Sequence, residues 1–136
     1  MDIDALTSAV QAGLRRLTPE AAWQRQREGA RLVDIRPEFQ RRADGEIPGA
    51  IVIERNHLEW RCDPRSYARI PEATDHTVAW IILCDEGFSS SLAAASLQRL
   101  GLRQATDVIG GFRAWRAAGL PVERPATPTP PRLYTG

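Results

Sequence analysis

The segment Cys84-Asp85-Glu86-Gly87-Phe88-Ser89-Ser90 holds the residues of this chain best suited to covalent chemistry. Its cysteine directly follows the apolar run Val78-Ala79-Trp80-Ile81-Ile82-Leu83, and its serines open a stretch of helical periodicity. A strand, a tight loop and a helix in that order put the sulfur at the carboxyl end of a buried strand, where α/β folds bind ligands. Backbone N–H groups of such a loop, converging with a helix N-terminus, form a cradle for negative charge. A thiolate at the centre of that cradle is stabilised, and the thiolate is the nucleophilic form. Gly87 allows a turn barred to other residues and keeps a side chain off the path to the sulfur. Ser89 and Ser90 are expected to add hydroxyl donors, and Phe88 to line the mouth of the pocket. The competing reading, a small buried cysteine ending a core strand, requires neither the glycine loop nor the two serines after it.

Other chemistries are harder to assemble. All basic side chains are arginine, which excludes a Schiff-base lysine and a P-loop lysine. Two cysteines, Cys62 and Cys84, are too few for a disulfide framework, and two histidines without a Cys-x-x-Cys pair argue against a metal site. A Cys-x5-Arg phosphatase loop needs an arginine clamp at position 90, which is Ser. Eighteen basic against seventeen acidic side chains give a formal charge of +1, so neither nucleic acid nor an anionic membrane is an expected partner. No apolar run approaches the roughly 20 residues of a membrane span, and the acidic start Met1-Asp2-Ile3-Asp4 lacks a secretory pattern. A cytoplasmic location is the expectation.

The elements that must position the loop follow from periodicity and punctuation. With 136 residues, 43% of them hydrophobic, one core is expected. Asp4 to Leu14 predicts a docking helix with Ile3, Leu6, Val10 and Leu14 on one face. Arg16-Leu17-Thr18 suggests a brief strand, and Thr18-Pro19-Glu20 starts a helix to about Glu28. Strands are predicted at 31–35, 50–53, 78–83 and 104–109, the third being the central one. One helical turn at 38–43, a helix over 89–100 and a short helix after Gly110-Gly111 alternate with them; 54–75 reads as irregular with short helices. Trp60, Trp80, Phe112 and Trp115 are expected core aromatics. His57 is expected at the surface or half-buried, Cys62 in ordinary packing, and Asp34 with Arg36 as an ion pair or turn anchor. This alternation predicts an α/β domain of three layers, a central parallel sheet flanked by helices. The domain is expected over 17–122, between an N-terminal helical extension, 1–16, and a Pro-rich tail, 123–136.

Three stretches carry a resemblance: Leu32-Val33-Asp34-Ile35-Arg36-Pro37 with Gly45-Glu46-Ile47-Pro48-Gly49-Ala50, then Ile82-Leu83-Cys84 through Gly87 to Ser90, then Ile109-Gly110-Gly111-Phe112-Arg113-Ala114-Trp115. In this order and spacing they resemble the rhodanese family across about Leu17 to Val122. The resemblance implies that Cys84 accepts a sulfane sulfur and holds it as a persulfide, stabilised by loop amides from Asp85 to Ser90. Cyanide or a thiol would then remove it. No metal or organic cofactor is needed, and such a double displacement gives ping-pong kinetics. Asp85 and Glu86 depart from the basic loops common among thiosulfate-using members. Their charge should repel thiosulfate, leaving a polysulfide or a protein persulfide as the expected donor. Arg36 and Arg61 are the candidate substrate contacts that would offset it. A catalytically idle interaction module is the alternative.

Overall fold

The computed structural model describes residues 1–124; most of the Pro-rich tail expected over 123–136 lies outside the described residues. Four parallel strands, β1 (Arg31–Asp34), β2 (Ile51–Val52), β3 (Trp80–Leu83) and β4 (Thr106–Asp107), form one sheet in the order β2-β1-β3-β4. β1 and β3 pair along their full length, Arg31 opposite Trp80 through Asp34 opposite Leu83, and occupy the interior. Both therefore need apolar side chains on both faces, which is why their sequences read as continuous runs rather than alternations. The outer strands keep only two residues each, shorter than predicted. The brief strand expected at 16–18 is a single parallel bridge of Leu17 to Val108, outside β4.

Among the described residues, six helices cover the sheet: α1 (Ile3–Ala12), α2 (Pro19–Arg27), α3 (Glu38–Asp44), α4 (Leu58–Cys62), α5 (Ser89–Arg99) and α6 (Gly111–Ala117). The period-2 alternation of the strands divides the core in two. Val33, Trp80, Ile82 and Cys84 pack with Leu58, Ala93 and Leu97 of α4 and α5 on one face. Leu32, Ile81 and Leu83 pack with Ala22 of α2 and Phe112 and Trp115 of α6 on the other. The expected three layers result. Helix α2 starts as its residues dictate: the Thr18 hydroxyl accepts from the Ala21 N–H at 3.1 Å, and Pro19 fills the first position. Among the described residues, no helix is long and apolar enough to cross a membrane.

Three expectations about packing are corrected. Ile3 and Leu6 of α1 are exposed, and its buried side chain is Thr7. Trp80, Phe112 and Trp115 are fully buried, but Trp60 is exposed: α4 has only five residues, and it is Leu58 and Cys62 that face the core. His57 is buried, at the end of the 3-10 turn Arg55–His57 that leads into α4.

Candidate active site

Cys84 is the first residue after β3 and is 6% exposed. The chain then turns back on itself, so that the Gly87 N–H donates to Cys84 Sγ at 3.1 Å and the Ser90 N–H donates at 3.4 Å. Helix α5 has no side-chain cap at Phe88. The sulfur takes the place of that cap: the N–H of the second residue of α5, otherwise an orphan donor, is directed at Sγ. Two amide dipoles and the positive end of an eleven-residue helix thus bear on one atom, the arrangement that favours negative charge there.

Glycines make the loop possible. Gly87 has φ +89°, and a Cβ on it would lie 2.7 Å from the Gly110 backbone nitrogen. Gly111, at φ +60°, would with a Cβ lie 2.5 Å from the Cys84 carbonyl oxygen. Freed of those atoms, the start of α6 sits directly on the loop: the Phe112 N–H donates to the Cys84 carbonyl at 2.8 Å, and the Arg113 N–H donates to that of Asp85 at 3.1 Å. The Gly110-Gly111 pair is therefore a support for the Cys84 loop rather than only a helix start.

Cys84, Asp85, Glu86, Phe88 and Ser89 line a cleft of about 280 Å3, completed by Ile35, Arg36, Pro37 and Gln40. Phe88 is exposed at its edge. Arg36 is fully buried, and its Nε and Nη2 donate to the Asp34 carboxylate, with Nη2 2.8 Å from Oδ2. Nη2 also donates to the Gly45 carbonyl, and the guanidinium stacks 3.8 Å from the centroid of the Phe112 ring. Its Nη1 is buried without a partner. Arg61 does not line this cleft; its Nη1 donates to the Ala68 carbonyl at 2.9 Å.

Two groups that sequence reasoning passed over complete the site. Arg113 Nε donates to Asp85 Oδ2 at 2.9 Å, so one of the two loop carboxylates already has a cation beside it. Beneath the loop, the fully buried Asp107 accepts from Arg16 Nε at 2.9 Å and from the hydroxyls of Ser90 and Ser91 at 2.7 and 2.8 Å. The Ser90 hydroxyl is thus turned to Asp107, and it is the amide of Ser90 that serves the sulfur. Arg16 Nη2 donates to the Gly87 carbonyl at 2.8 Å, and Gln11 Nε2 donates to the Ser91 hydroxyl at 3.1 Å. The N-terminal segment is therefore bolted to the loop. Cys62 shares the core with Cys84 but is entirely inaccessible, and burial, with Glu59 nearby, pushes its thiol up to about 12.

Residues 18–118 match the model of the rhodanese-like domain. The chain belongs to the rhodanese-like family. It is 34% identical over 108 residues to the thiosulfate sulfurtransferase GlpE of Actinobacillus succinogenes, covering 79% of this chain and 88% of that protein. To the GlpE of Pseudomonas putida it is 38% identical over 104 residues, 76% and 86% of the two chains. Among solved structures, a Rhodopseudomonas palustris protein of unknown function, described as a possible tyrosine phosphatase, superposes with a TM-score of 0.81 at 32% identity, covering 90% of this chain and 95% of that one. The polysulfide-sulfur transferase of Wolinella succinogenes shares the fold, with a TM-score of 0.69 at 20% identity over 90% and 87% of the chains. The rhodanese match begins after Arg16, so the segment that braces the loop lies outside it.

Proposed function

We propose that this rhodanese-like protein is a sulfurtransferase that carries a sulfane sulfur on Cys84. The observation that carries the reading is the pair of amide donors on Sγ inside an open cleft. In the first displacement the Cys84 thiolate attacks the outer sulfur of thiosulfate. A new S–S bond forms, the old one breaks, and sulfite leaves with its electron pair. The persulfide carries one negative charge on its terminal sulfur, which the Gly87 and Ser90 amides and the α5 terminus are positioned to stabilise. In the second displacement, cyanide or a thiolate attacks that terminal sulfur, and Cys84 leaves as the thiolate. Neither step requires a metal or an organic cofactor.

The donor is a small sulfane-sulfur anion, thiosulfate or a polysulfide. The repulsion expected from Asp85 is reduced by Arg113 on its Oδ2, and Glu86 is exposed, where solvent and salt screen its charge. Arg36 is the proposed contact from the cleft wall, with its buried Nη1 unpartnered among the described residues. Arg61 has no part in this reading. We assign the N-terminal segment to the working unit, as the brace of the loop, rather than to a separate extension. The cycle needs a reduced thiol, which suits the cytoplasm. The phosphatase alternative lacks an arginine clamp, since position 90 is Ser and its hydroxyl is spent on Asp107.

Steady-state formation of thiocyanate from thiosulfate and cyanide tests the proposal. Parallel double-reciprocal lines at varied cyanide are expected of a ping-pong cycle. The absence of turnover with both thiosulfate and polysulfide, in folded protein, would leave the interaction-module reading in its place.

A further inference from the structure

A second cavity lies at the opposite, amino-terminal end of the central strands. Its volume is about 450 Å3, and its walls include Ala79 and Ile81 at the start of β3, Thr106, the first residue of β4, and Leu17, which runs beside β4. It shares no lining residue with the Cys84 cleft.

Three arginines line it: Arg15 from the segment after α1, Arg25 from the last turn of α2, and Arg103 from the turn before β4. No acidic side chain does, and none of the three has a carboxylate partner among the described residues. Arg16, by contrast, is paired with Asp107, and Arg36 with Asp34. Three uncompensated guanidinium groups around one concavity raise the local anion concentration and offer planar donors matched to phosphate oxygens. A second observation is independent of charge. Thr106 is only 8% exposed, and its hydroxyl is buried with no hydrogen-bond partner among the described residues. Such a hydroxyl gains a hydrogen bond if a water or a ligand group seated beside it supplies the partner.

We propose that this cavity binds a small organic phosphate of about mononucleotide size. Its doubly charged phosphate lies among Arg15, Arg25 and Arg103, with the Thr106 hydroxyl as a further hydrogen-bonding group. Its organic body lies against Leu17, Ala79 and Ile81. Inorganic anions would satisfy the charge but leave most of the volume and the apolar wall unused, and a neutral ligand would leave the arginines unanswered.

The test is a titration of the full chain with adenosine 5′-monophosphate at constant ionic strength, followed by backbone amide NMR. Adenosine alone and competing inorganic phosphate form separate arms. Saturable shifts are expected at Leu17, Ala105 and Thr106, reversed by inorganic phosphate, absent with adenosine, and absent from Gly87 and Ser90. The double variant Arg25→Glu/Arg103→Glu changes two exposed side chains and should keep the fold. It should weaken binding by about 100-fold, roughly tenfold for each charged hydrogen-bonding group lost. No saturable shift at millimolar nucleotide, equal shifts with adenosine, insensitivity to phosphate, or undiminished binding by the double variant would each overturn the proposal. So would shifts confined to the Cys84 loop.

Discussion

The two cysteines of this chain share one core cluster and have opposite surroundings. Cys84 ends a strand where the backbone turns its N–H groups inward, so two amides and a helix terminus face its sulfur, and the cleft gives a reactant access. Cys62 ends a five-residue helix within close packing, and burial favours its neutral thiol strongly enough to push it up to about 12. Burial alone does not separate them, since Cys84 is itself only 6% exposed. What separates them is the direction of the nearest backbone dipoles and the presence of a cleft. On the proposed function, the direction of these N–H groups is what makes Cys84, and not Cys62, the nucleophile.

The comparison can be broken most decisively by exchanging which cysteine is present. Cys84→Ser should abolish thiocyanate formation from either donor. Cys62→Ala should retain it and lose about 1 kcal/mol of stability to a small cavity, measurable by urea unfolding. Next in size is the foundation of the Cys84 loop. Arg16→Gln leaves Asp107 as a buried charge with no cation, and should destabilise the fold by about 3 kcal/mol. The same variant frees the Gly87 carbonyl, and kcat should fall more than KM rises.

The Cys62 side of the comparison has its own signature in alkali. Its thiol titrates near 9.0 when unfolded and at about 12 when folded, so above the lower value the unfolded state binds fewer protons than the native state. Stability contributed by the neutral thiol is complete below pH 9 and declines from there to about pH 12, by up to about 1.4 kcal/mol per unit of pH. Urea midpoints across that window should fall more steeply for the wild type than for Cys62→Ala. The smallest effect concerns the rim of the Cys84 cleft. Arg113→Ala leaves Asp85 unpaired, and KM for thiosulfate should rise a few-fold at low salt with kcat unchanged. Added salt should narrow the difference.

Much of this site is local in sequence, and that part was legible. The apolar run before Cys84, the glycine three residues after it and the helix restarting at Ser89 together specify strand, loop and helix. The interior strands β1 and β3 were readable for the same reason, because burial on both faces leaves an unbroken apolar run. What sequence could not supply was pairing at long range. Arg16 meets Asp107 across 91 positions and Arg113 meets Asp85 across 28, and nothing in the spacing of either pair announces it. The acidic loop was consequently read without Arg113, the cation beside Asp85 Oδ2. Trp60 misled for a different reason: a five-residue helix has too few turns for periodicity to show which face is buried.

The central claim, that sulfur is carried on Cys84 and not on Cys62, is tested most directly by mass. Reduced protein treated with thiosulfate or polysulfide should gain about 32 Da, one sulfur atom, on the peptide containing Cys84, and cyanide should remove it. The Cys62 peptide should be unchanged. Sulfur found on Cys62, or no cyanide-labile gain from either donor, would contradict the account.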